Sequence, residues 1–187
     1  MSTAEKLIRE EKYKYSDYEN WQDGENWEII SGNAYVMASS PTIKHQNISG
    51  NIYNEFKNYL KGKSCKVFYE IDVVLSDEDV VKPDIMVVCD KEKLGEKNIK
   101  GAPDLIVEVL SPSTSRRDKV IKLELYKKYG VKEYWIADPV YREITVHYFT
   151  ENRSQIYYTE DEAENSEIGV KLFNDELKLD MKYIFEE

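Results

Sequence analysis

The chain has 187 residues, 41% of them hydrophobic and 33% charged, and its formal net charge at pH 7 is −10. This length allows a full-sized core, so we expect residues 1–187 to form one domain, with residues 1–14 as a flexible or helical tail. The acidic balance argues against indiscriminate DNA binding, because that binding comes from neutralised phosphates. No apolar run approaches the roughly 18 residues of a membrane span, so we expect no membrane partner.

Two further features bear on the compartment of the protein. The N-terminal residues lack the apolar segment of a signal peptide. Cys65 and Cys89 have no spacing typical of a metal site. Together these features predict a cytoplasmic protein whose thiols are reduced.

The N-terminal part predicts a hairpin followed by a long helix. Residues 27–38 contain two short apolar runs around a turn at Gly32, which is the pattern of a β-hairpin. Residues 41–61 predict a helix that begins with proline. His45 lies in line with its buried stripe and is either a group that orients a ligand or a core histidine. Glu55 lies on its flank, as a supporting acid or an exposed glutamate.

Two apolar runs at residues 66–75 and 80–89 predict the strands of an antiparallel hairpin. Glu70 in the first strand either supports a site or faces solvent. Asp84 follows Pro83, which is tolerated at the first residue of a strand. Asp84 is therefore either a site residue at a strand end or a turn residue.

The run DLIVEVL, residues 104–110, predicts a central strand that is covered on both faces. Because side chains alternate along a strand, Glu108 shares a face with Ile106 and Leu110. The run therefore carries a carboxylate into apolar surroundings.

A helix is expected after this strand, capped by Thr114 or Ser115 and ended by Gly130. At about 100° per residue, one face of this helix is apolar. That face comprises Ile121, Leu125, Tyr126 and Tyr129. Lys122 falls among these residues, one turn after Asp118.

The next strand is predicted at residues 133–137. A strand–helix–strand unit has a right-handed crossover, which implies parallel pairing with residues 104–110. Residues 143–150 and 154–159 predict an antiparallel hairpin. The expected fold class is α/β, a mixed β-sheet core flanked by helices, with an added N-terminal hairpin and C-terminal strands.

Three ionisable side chains are thus expected in apolar surroundings, namely Asp84, Glu108 and Lys122. Burying an ion costs several kcal/mol unless a partner compensates its charge. A divalent metal ion and a phosphate would together partner all three, so the set indicates a functional site. A closed Glu108–Lys122 ion pair, or an ammonium that reaches solvent past the aromatic rings, would also satisfy these charges.

These residues resemble the Uma-type restriction endonuclease family, within the PD-(D/E)XK nuclease superfamily. The distinctive stretches are Pro83-Asp84, PDLIVEVLSPST at 103–114 and GVKEYWIADP at 130–139. The resemblance covers about residues 27–149 and implies a restriction-endonuclease-like fold. Its other matching positions are Trp27, Glu28, Ile29, Ile30, Gly32, Met37, His45, Arg117, Asp118, Lys122 and Tyr126.

The resemblance implies catalytic roles for Asp84, Glu108 and Lys122. It also implies that Asp84, Glu108 and the backbone carbonyl of Val109 hold Mg²⁺ or Mn²⁺, cations that prefer such hard oxygen ligands. The residues with expected supporting roles are His45, Glu28, Glu70 and Asp118. In the superfamily the lysine lies two residues after the acid, where this chain has Leu110, and Lys122 is its counterpart in the Uma-type pattern.

We therefore expect a metal-dependent endonuclease that hydrolyses DNA phosphodiester bonds and leaves 5′-phosphates, as the resemblance implies. RNA or a small phosphodiester would use the same site. One site per chain suggests a homodimer for cutting both strands, with aromatics between Tyr141 and Tyr158 at its interface. The alternative is a binding or scaffold protein that keeps the fold without turnover.

The helix after the central strand is basic in an otherwise acidic chain. Residues 111–132 carry seven basic and two acidic side chains, a net charge of +5. This surface either faces phosphate or is simply solvated.

Overall fold

The computed structural model describes residues 12–21, 26–37, 40–111, 115–159 and 166–186. Most of the predicted tail at 1–14 and the predicted cap Thr114 lie outside these residues. Within this part of the chain, no helix is long and apolar enough to cross a membrane. The helices are α1 (Tyr15–Tyr18), α2 (Ile43–Tyr59), α3 (Leu123–Tyr129) and α4 (Met181–Ile184). A π-helical segment, Arg117–Lys122, leads into α3, and 3-10 helices lie at Lys91–Lys93 and Lys171–Phe173.

The strands make two large sheets and one small sheet. They are β1 (Trp27–Ile30), β2 (Asn33–Val36), β3 (Lys66–Tyr69), β4 (Asp72–Ser76), β5 (Asp79–Val81), β6 (Ile85–Val88), β7 (Asn98–Lys100), β8 (Leu105–Val109), β9 (Glu133–Asp138), β10 (Glu143–Tyr148), β11 (Arg153–Tyr158), β12 (Glu167–Gly169) and β13 (Lys178–Asp180). The strand order is β11-β10-β9-β8-β6-β3 in the six-stranded sheet and β2-β1-β5-β4-β7 in the five-stranded sheet, and the small sheet is β12-β13.

The predicted central strand, β8, lies inside the six-stranded sheet. All five residues of β8 are buried. β8 and β9 pair in parallel with Leu105 opposite Glu133, which confirms the predicted crossover. The predicted hairpins are confirmed as the antiparallel pairs β1–β2 and β10–β11. The architecture is the expected α/β fold, with mixed sheets flanked by helices.

Two apolar clusters cover the opposite faces of this sheet, because consecutive strand residues point to opposite sides. On one side Val107 packs with Ile52 and Phe56 of α2, and with the C-terminal segment. On the other side Ile106 packs with Tyr126 of α3 and with apolar residues of the five-stranded sheet. The two sheets and α3 thus share one core layer.

The predicted antiparallel pairing of residues 66–75 with residues 80–89 is confirmed, but it forms two short ladders in different sheets and not one long hairpin. β3 and β6 belong to the larger sheet, whereas β4 and β5 belong to the smaller one. The first break is at Glu70, whose φ of 45° lies in the left-handed region. The second is at Lys82-Pro83-Asp84, where proline supplies no N–H for a ladder. The breaks adjoin, since the Glu70 N–H donates to the Asp84 carbonyl at 3.1 Å.

The helix after β8 departs from the predicted face. In a π-helix the hydrogen bonds run from i to i+5, so each residue turns through a smaller angle than in an α-helix. Asp118 and Lys122 are both buried, whereas Ile121, which was predicted to be buried, is 38% exposed. Gly130 ends α3 with a φ of 81°, as predicted.

The expectation of reduced thiols is also wrong, because Cys65 and Cys89 form a disulfide. The antiparallel register of β3 and β6 sets Lys66 opposite Val88. The residues just beyond that pair, the two cysteines, therefore face each other at the end of the ladder. The disulfide therefore removes the support that free thiols would have given to a cytoplasmic location.

Candidate active site

One cleft of about 760 Å³ brings the predicted site residues together. Its walls come from the breaks between the two sheets, the end of β8, the first turn of α2 and the π-helical segment. The predicted residues in its wall are Glu28, His45, Glu70, Asp84, Glu108, Val109, Asp118 and Lys122. Glu55 of α2, which the sequence analysis considered as a supporting acid, is not among the residues that line the cleft.

Asp84 lies at the second break, immediately before β6, so it is near the sheet but not part of the ladder. Its Oδ2 accepts a hydrogen bond from the backbone N–H of Val109 at 2.7 Å. The same oxygen lies 3.3 Å from Nε2 of His45. Asp84 therefore joins three elements, namely the sheet break, the end of β8 and the start of α2.

His45 is positioned by α2 and is nearly buried. Thr42 caps this helix by accepting the His45 N–H at 3.1 Å, a typical N-cap contact. Burial lowers the pKa of the imidazole, but the hydrogen bond to Asp84 and its charge outweigh burial, so the pKa is raised overall. The raised pKa favours an imidazolium beside Asp84.

Glu108 points from the centre of β8 toward the helix that follows. Its Oε1 accepts hydrogen bonds from Lys122 Nζ at 2.8 Å and from the Tyr126 hydroxyl at 2.9 Å. The expected Glu108–Lys122 ion pair therefore exists. Both residues nevertheless line the cleft, so the pair is not closed off from it.

Lys122 is the centre of a larger cluster than a single ion pair. Its Nζ lies 2.7 Å from Glu28 Oε1, 2.8 Å from Glu108 Oε1 and 3.5 Å from Asp118 Oδ1. The side chain is only 3% exposed. One buried ammonium thus faces three buried carboxylates, an arrangement that leaves negative charge uncompensated.

Arg117 adds a second cation to this cluster, but not enough charge to balance it. Its NH1 lies 3.3 Å from Glu28 Oε2, and its guanidinium lies 4.6 Å from the centre of the Tyr35 ring. Among the described residues, the cleft wall holds six carboxylates against four lysine and arginine side chains. The site is therefore short of positive charge.

The pKa shifts follow from this imbalance. Burial raises the pKa of Glu108 well above its ordinary value, Lys122 opposes the shift, and the neighbouring Asp118, Asp84 and Glu28 add to it. Burial lowers the pKa of Lys122, but the surrounding carboxylates raise it well above its ordinary value overall. Lys122 is therefore charged, and a further cation near Glu108 would favour its ionised form.

Glu70 and several residues outside the predicted set also belong to the cleft. Glu70 is exposed at the first sheet break. The sequence analysis had not singled out Lys44 or Lys119 and had named Tyr141 only for a dimer interface, yet all three line the same wall. The basic excess of residues 111–132 was the signal for Lys119, whereas nothing in the sequence signalled Lys44.

The described residues contain no cluster of three or more His, Cys, Asp or Glu side chains placed to hold a metal ion. The predicted donor set does not need such a cluster, because Mg²⁺ is commonly held by one or two carboxylates and retains several waters. Asp84 contacts His45 and the Val109 N–H through Oδ2, and Glu108 contacts Lys122 and Tyr126 through Oε1. The charge deficit of the cleft and these hard oxygens fit a divalent cation.

Comparison with known proteins identifies relatives over most of the chain. A family model named Uma2, described as "Putative restriction endonuclease", matches residues 15–182. "Uncharacterized protein slr1290" of Synechocystis is 27% identical over 168 residues, which cover 85% of this chain and 87% of that protein. A crystal structure of a "putative nuclease belonging to DUF820" from Anabaena variabilis superposes with a TM-score of 0.76 at 22% identity, covering 92% of this chain and 97% of that chain. The predicted family and fold are confirmed: this chain belongs to the Uma2 family.

Proposed function

We propose that this protein is a metal-dependent endonuclease that hydrolyses phosphodiester bonds in DNA. The observation that carries the proposal is the meeting of Asp84, Glu108 and Lys122 in one cleft where carboxylates outnumber cations. The description of the Uma2 family and of the Anabaena relative supports the same reaction class.

Asp84, Glu108 and the backbone carbonyl of Val109 would hold Mg²⁺ or Mn²⁺. When bound, such an ion supplies positive charge for a phosphate oxygen and lowers the pKa of a bound water. His45 contacts Asp84 directly and sets the orientation of its carboxylate. Tyr126 does the same for Glu108, because its hydroxyl donates to Oε1.

Lys122 would hold the phosphate or the attacking water. Its longest contact, 3.5 Å to Asp118, is the one that we expect a phosphate oxygen to replace. Glu28 and Glu108 would keep the ammonium in place at 2.7 and 2.8 Å. Glu70 and Asp118 act as supporting acids at the edge of the site.

The products would carry 5′-phosphates. Cleavage of both strands by one site per chain would require a homodimer, and we place the protein in the cytoplasm, where its substrate would be. RNA or a small phosphodiester would use the same site.

The test is nicking of a supercoiled plasmid in Mg²⁺ or Mn²⁺, with Asp84→Ala and Glu108→Gln as variants. We expect nicking by the wild type and its loss in both variants and in EDTA. Binding of Mn²⁺ by calorimetry, compared between the wild type and Asp84→Ala, tests the ligand set without turnover. Equal heats of binding for both would contradict the proposed ligands.

A scaffold that keeps the fold without turnover is the second candidate. The observation in its favour is that three carboxylates already surround the three N–H donors of Lys122. Mn²⁺ binding without nicking of supercoiled, linear or single-stranded DNA would favour this candidate.

A further inference from the structure

We propose that Tyr141 is a stacking platform for an unpaired base, so that the cleft takes a single strand or a locally opened duplex. This inference rests on the proposed nuclease function and adds the strand structure of its substrate. It begins from the turn between β9 and β10, which is part of the cleft wall.

Two large apolar side chains of this turn are exposed where the cleft opens. Val140 is 80% exposed and Tyr141 is 73% exposed, and both line the cleft. An aromatic ring exposed this far in the wall of a cleft offers its face to a flat partner. Every nucleobase has such a face, so stacking on an aromatic ring requires no particular sequence.

The turn that carries Tyr141 is held firmly. Asp138 Oδ1 accepts the backbone N–H groups of Val140 at 2.9 Å and of Tyr141 at 3.3 Å. Asp138 Oδ2 lies 3.4 Å from Nζ of Lys119, next to the buried Asp118. The backbone of Tyr141 is therefore tied to the π-helical segment that also positions Lys122, so little backbone order has to be gained on binding.

Cations beside the ring indicate what kind of partner meets it, although carboxylates outnumber cations over the cleft as a whole. Lys44, Arg117 and Lys119 line the same cleft as Tyr141, and Lys119 remains 47% exposed beside its partner Asp138. Cations beside an exposed aromatic ring are the two components of surfaces that bind single-stranded nucleic acid, the cations for phosphates and the ring for a base. A nucleotide strand offers phosphates to the cations and a base to the ring.

An intact duplex cannot present the face of a base to this ring, because its bases are stacked and paired. Unpaired nucleotides next to the scissile phosphate are free of this restriction. The cleft volume of about 760 Å³ lies in the range of roughly 300–1,000 Å³ that is usual for small-ligand sites.

The test measures binding in EDTA, where the protein does not need to turn over. Fluorescence anisotropy of the full chain is recorded with a labelled thymidine oligonucleotide, with the same backbone made abasic, and with a duplex. We expect the wild type to bind the thymidine strand roughly 10-fold more tightly than the abasic strand, as the loss of one base stack implies. Weaker binding of the duplex is expected for the same reason.

The variants isolate the ring. Tyr141→Ala should lose the roughly 10-fold preference for thymidine over abasic strand, whereas Tyr141→Phe should keep it, because the ring remains. Tyr158→Ala is the matched control, since Tyr158 is 40% exposed on β11 and is not among the cleft-lining residues. A preference for thymidine that survives in Tyr141→Ala would overturn the inference.

Two other outcomes also decide the matter. Light scattering measures the mass of the protein in solution. If Tyr141→Ala changes that mass and leaves the base preference intact, the ring belongs to an interface between copies of the chain and is not a stacking platform. If the wild type cuts plasmid in Mn²⁺ but shows no base preference, only the stacking inference fails. If the wild type binds the thymidine strand with the preference but cuts nothing, the stacking inference stands and the proposed nuclease function fails.

Discussion

Glu108 and Glu133 are acids inside apolar strands that lie side by side, β8 and β9, and both are buried. Their partners differ in kind. Glu108 meets the ammonium of Lys122 and faces an open cleft. Glu133 accepts two neutral N–H donors, the indole of Trp135 at 3.1 Å and the backbone of Leu172. Glu133 thus binds the C-terminal segment to the sheet through the Leu172 N–H, whereas Glu108 belongs to the candidate site.

The difference teaches that burial alone does not identify a functional acid. Burial raises the pKa of both Glu108 and Glu133. Neighbouring carboxylates raise the pKa of both acids as well. What separates them is the opposing group, since the cation Lys122 lowers the pKa of Glu108, whereas neutral N–H donors lower that of Glu133.

The largest expected effect comes from removing the cation of the site. Lys122→Met leaves three buried carboxylates without their ammonium, so we expect the free energy of unfolding to fall by about 3–5 kcal/mol. Urea denaturation in EDTA measures the change. Mn²⁺ should restore part of the loss in Lys122→Met, and a loss below about 1 kcal/mol would mean that the cluster carries less charge than we infer.

Exchange of each acid for its amide compares the two glutamates directly. Glu108→Gln should reduce the nicking rate by about 10²–10³-fold, because an amide cannot supply the anionic oxygen of the site. Glu133→Gln is the matched control, and its nicking rate should stay near that of the wild type. Equal rates for the two variants would remove the distinction drawn between β8 and β9.

Glu133 should make the free energy of unfolding depend on pH. Burial raises its pKa from 4.5 to about 7, although its two donors act in the opposite direction. The folded chain therefore binds a proton between these values that the unfolded chain has released, so stability falls as pH rises through this window. The loss is on the order of 3 kcal/mol at about 1.4 kcal/mol per pKa unit.

Denaturation curves between pH 4.5 and 8 give the measurement for this residue. The curve of Glu133→Gln should lack the contribution of that proton and fall less steeply than the wild type. Identical slopes in the two proteins would show that Glu133 is ionised throughout, with its two N–H donors sufficient to hold the charge.

The smallest expected effect concerns the orientation of Asp84. His45→Ala removes the ring that lies 3.3 Å from Asp84 Oδ2, and loss of a group that orients a ligand typically costs about 10–100-fold in affinity or rate. Calorimetry with Mn²⁺ reports this loss. Ser49→Ala is a suitable control, because the hydroxyl of Ser49 lies 3.5 Å from the other ring nitrogen, Nδ1, and not from the one that faces Asp84.

Local patterns predicted the central elements well, because they depend on neighbours in sequence. The apolar run of β8 correctly indicated burial, and the helical spacing did so for Lys122, Leu125 and Tyr126 but not for Ile121. The same patterns missed the division of residues 66–75 between two sheets. A single left-handed residue, Glu70, causes that division, and periodicity carries no information about one backbone angle.

By itself, the sequence determined the family, the order of most elements and the acids and lysine that enter apolar surroundings, since composition and periodicity report which side chains are buried. Only the tertiary structure decided their partners. Glu28 reaches Lys122 from the other sheet, and Cys65 meets Cys89 across a ladder. Partnership depends on register and on the packing of distant segments, and these arise from the whole fold and not from any stretch within it.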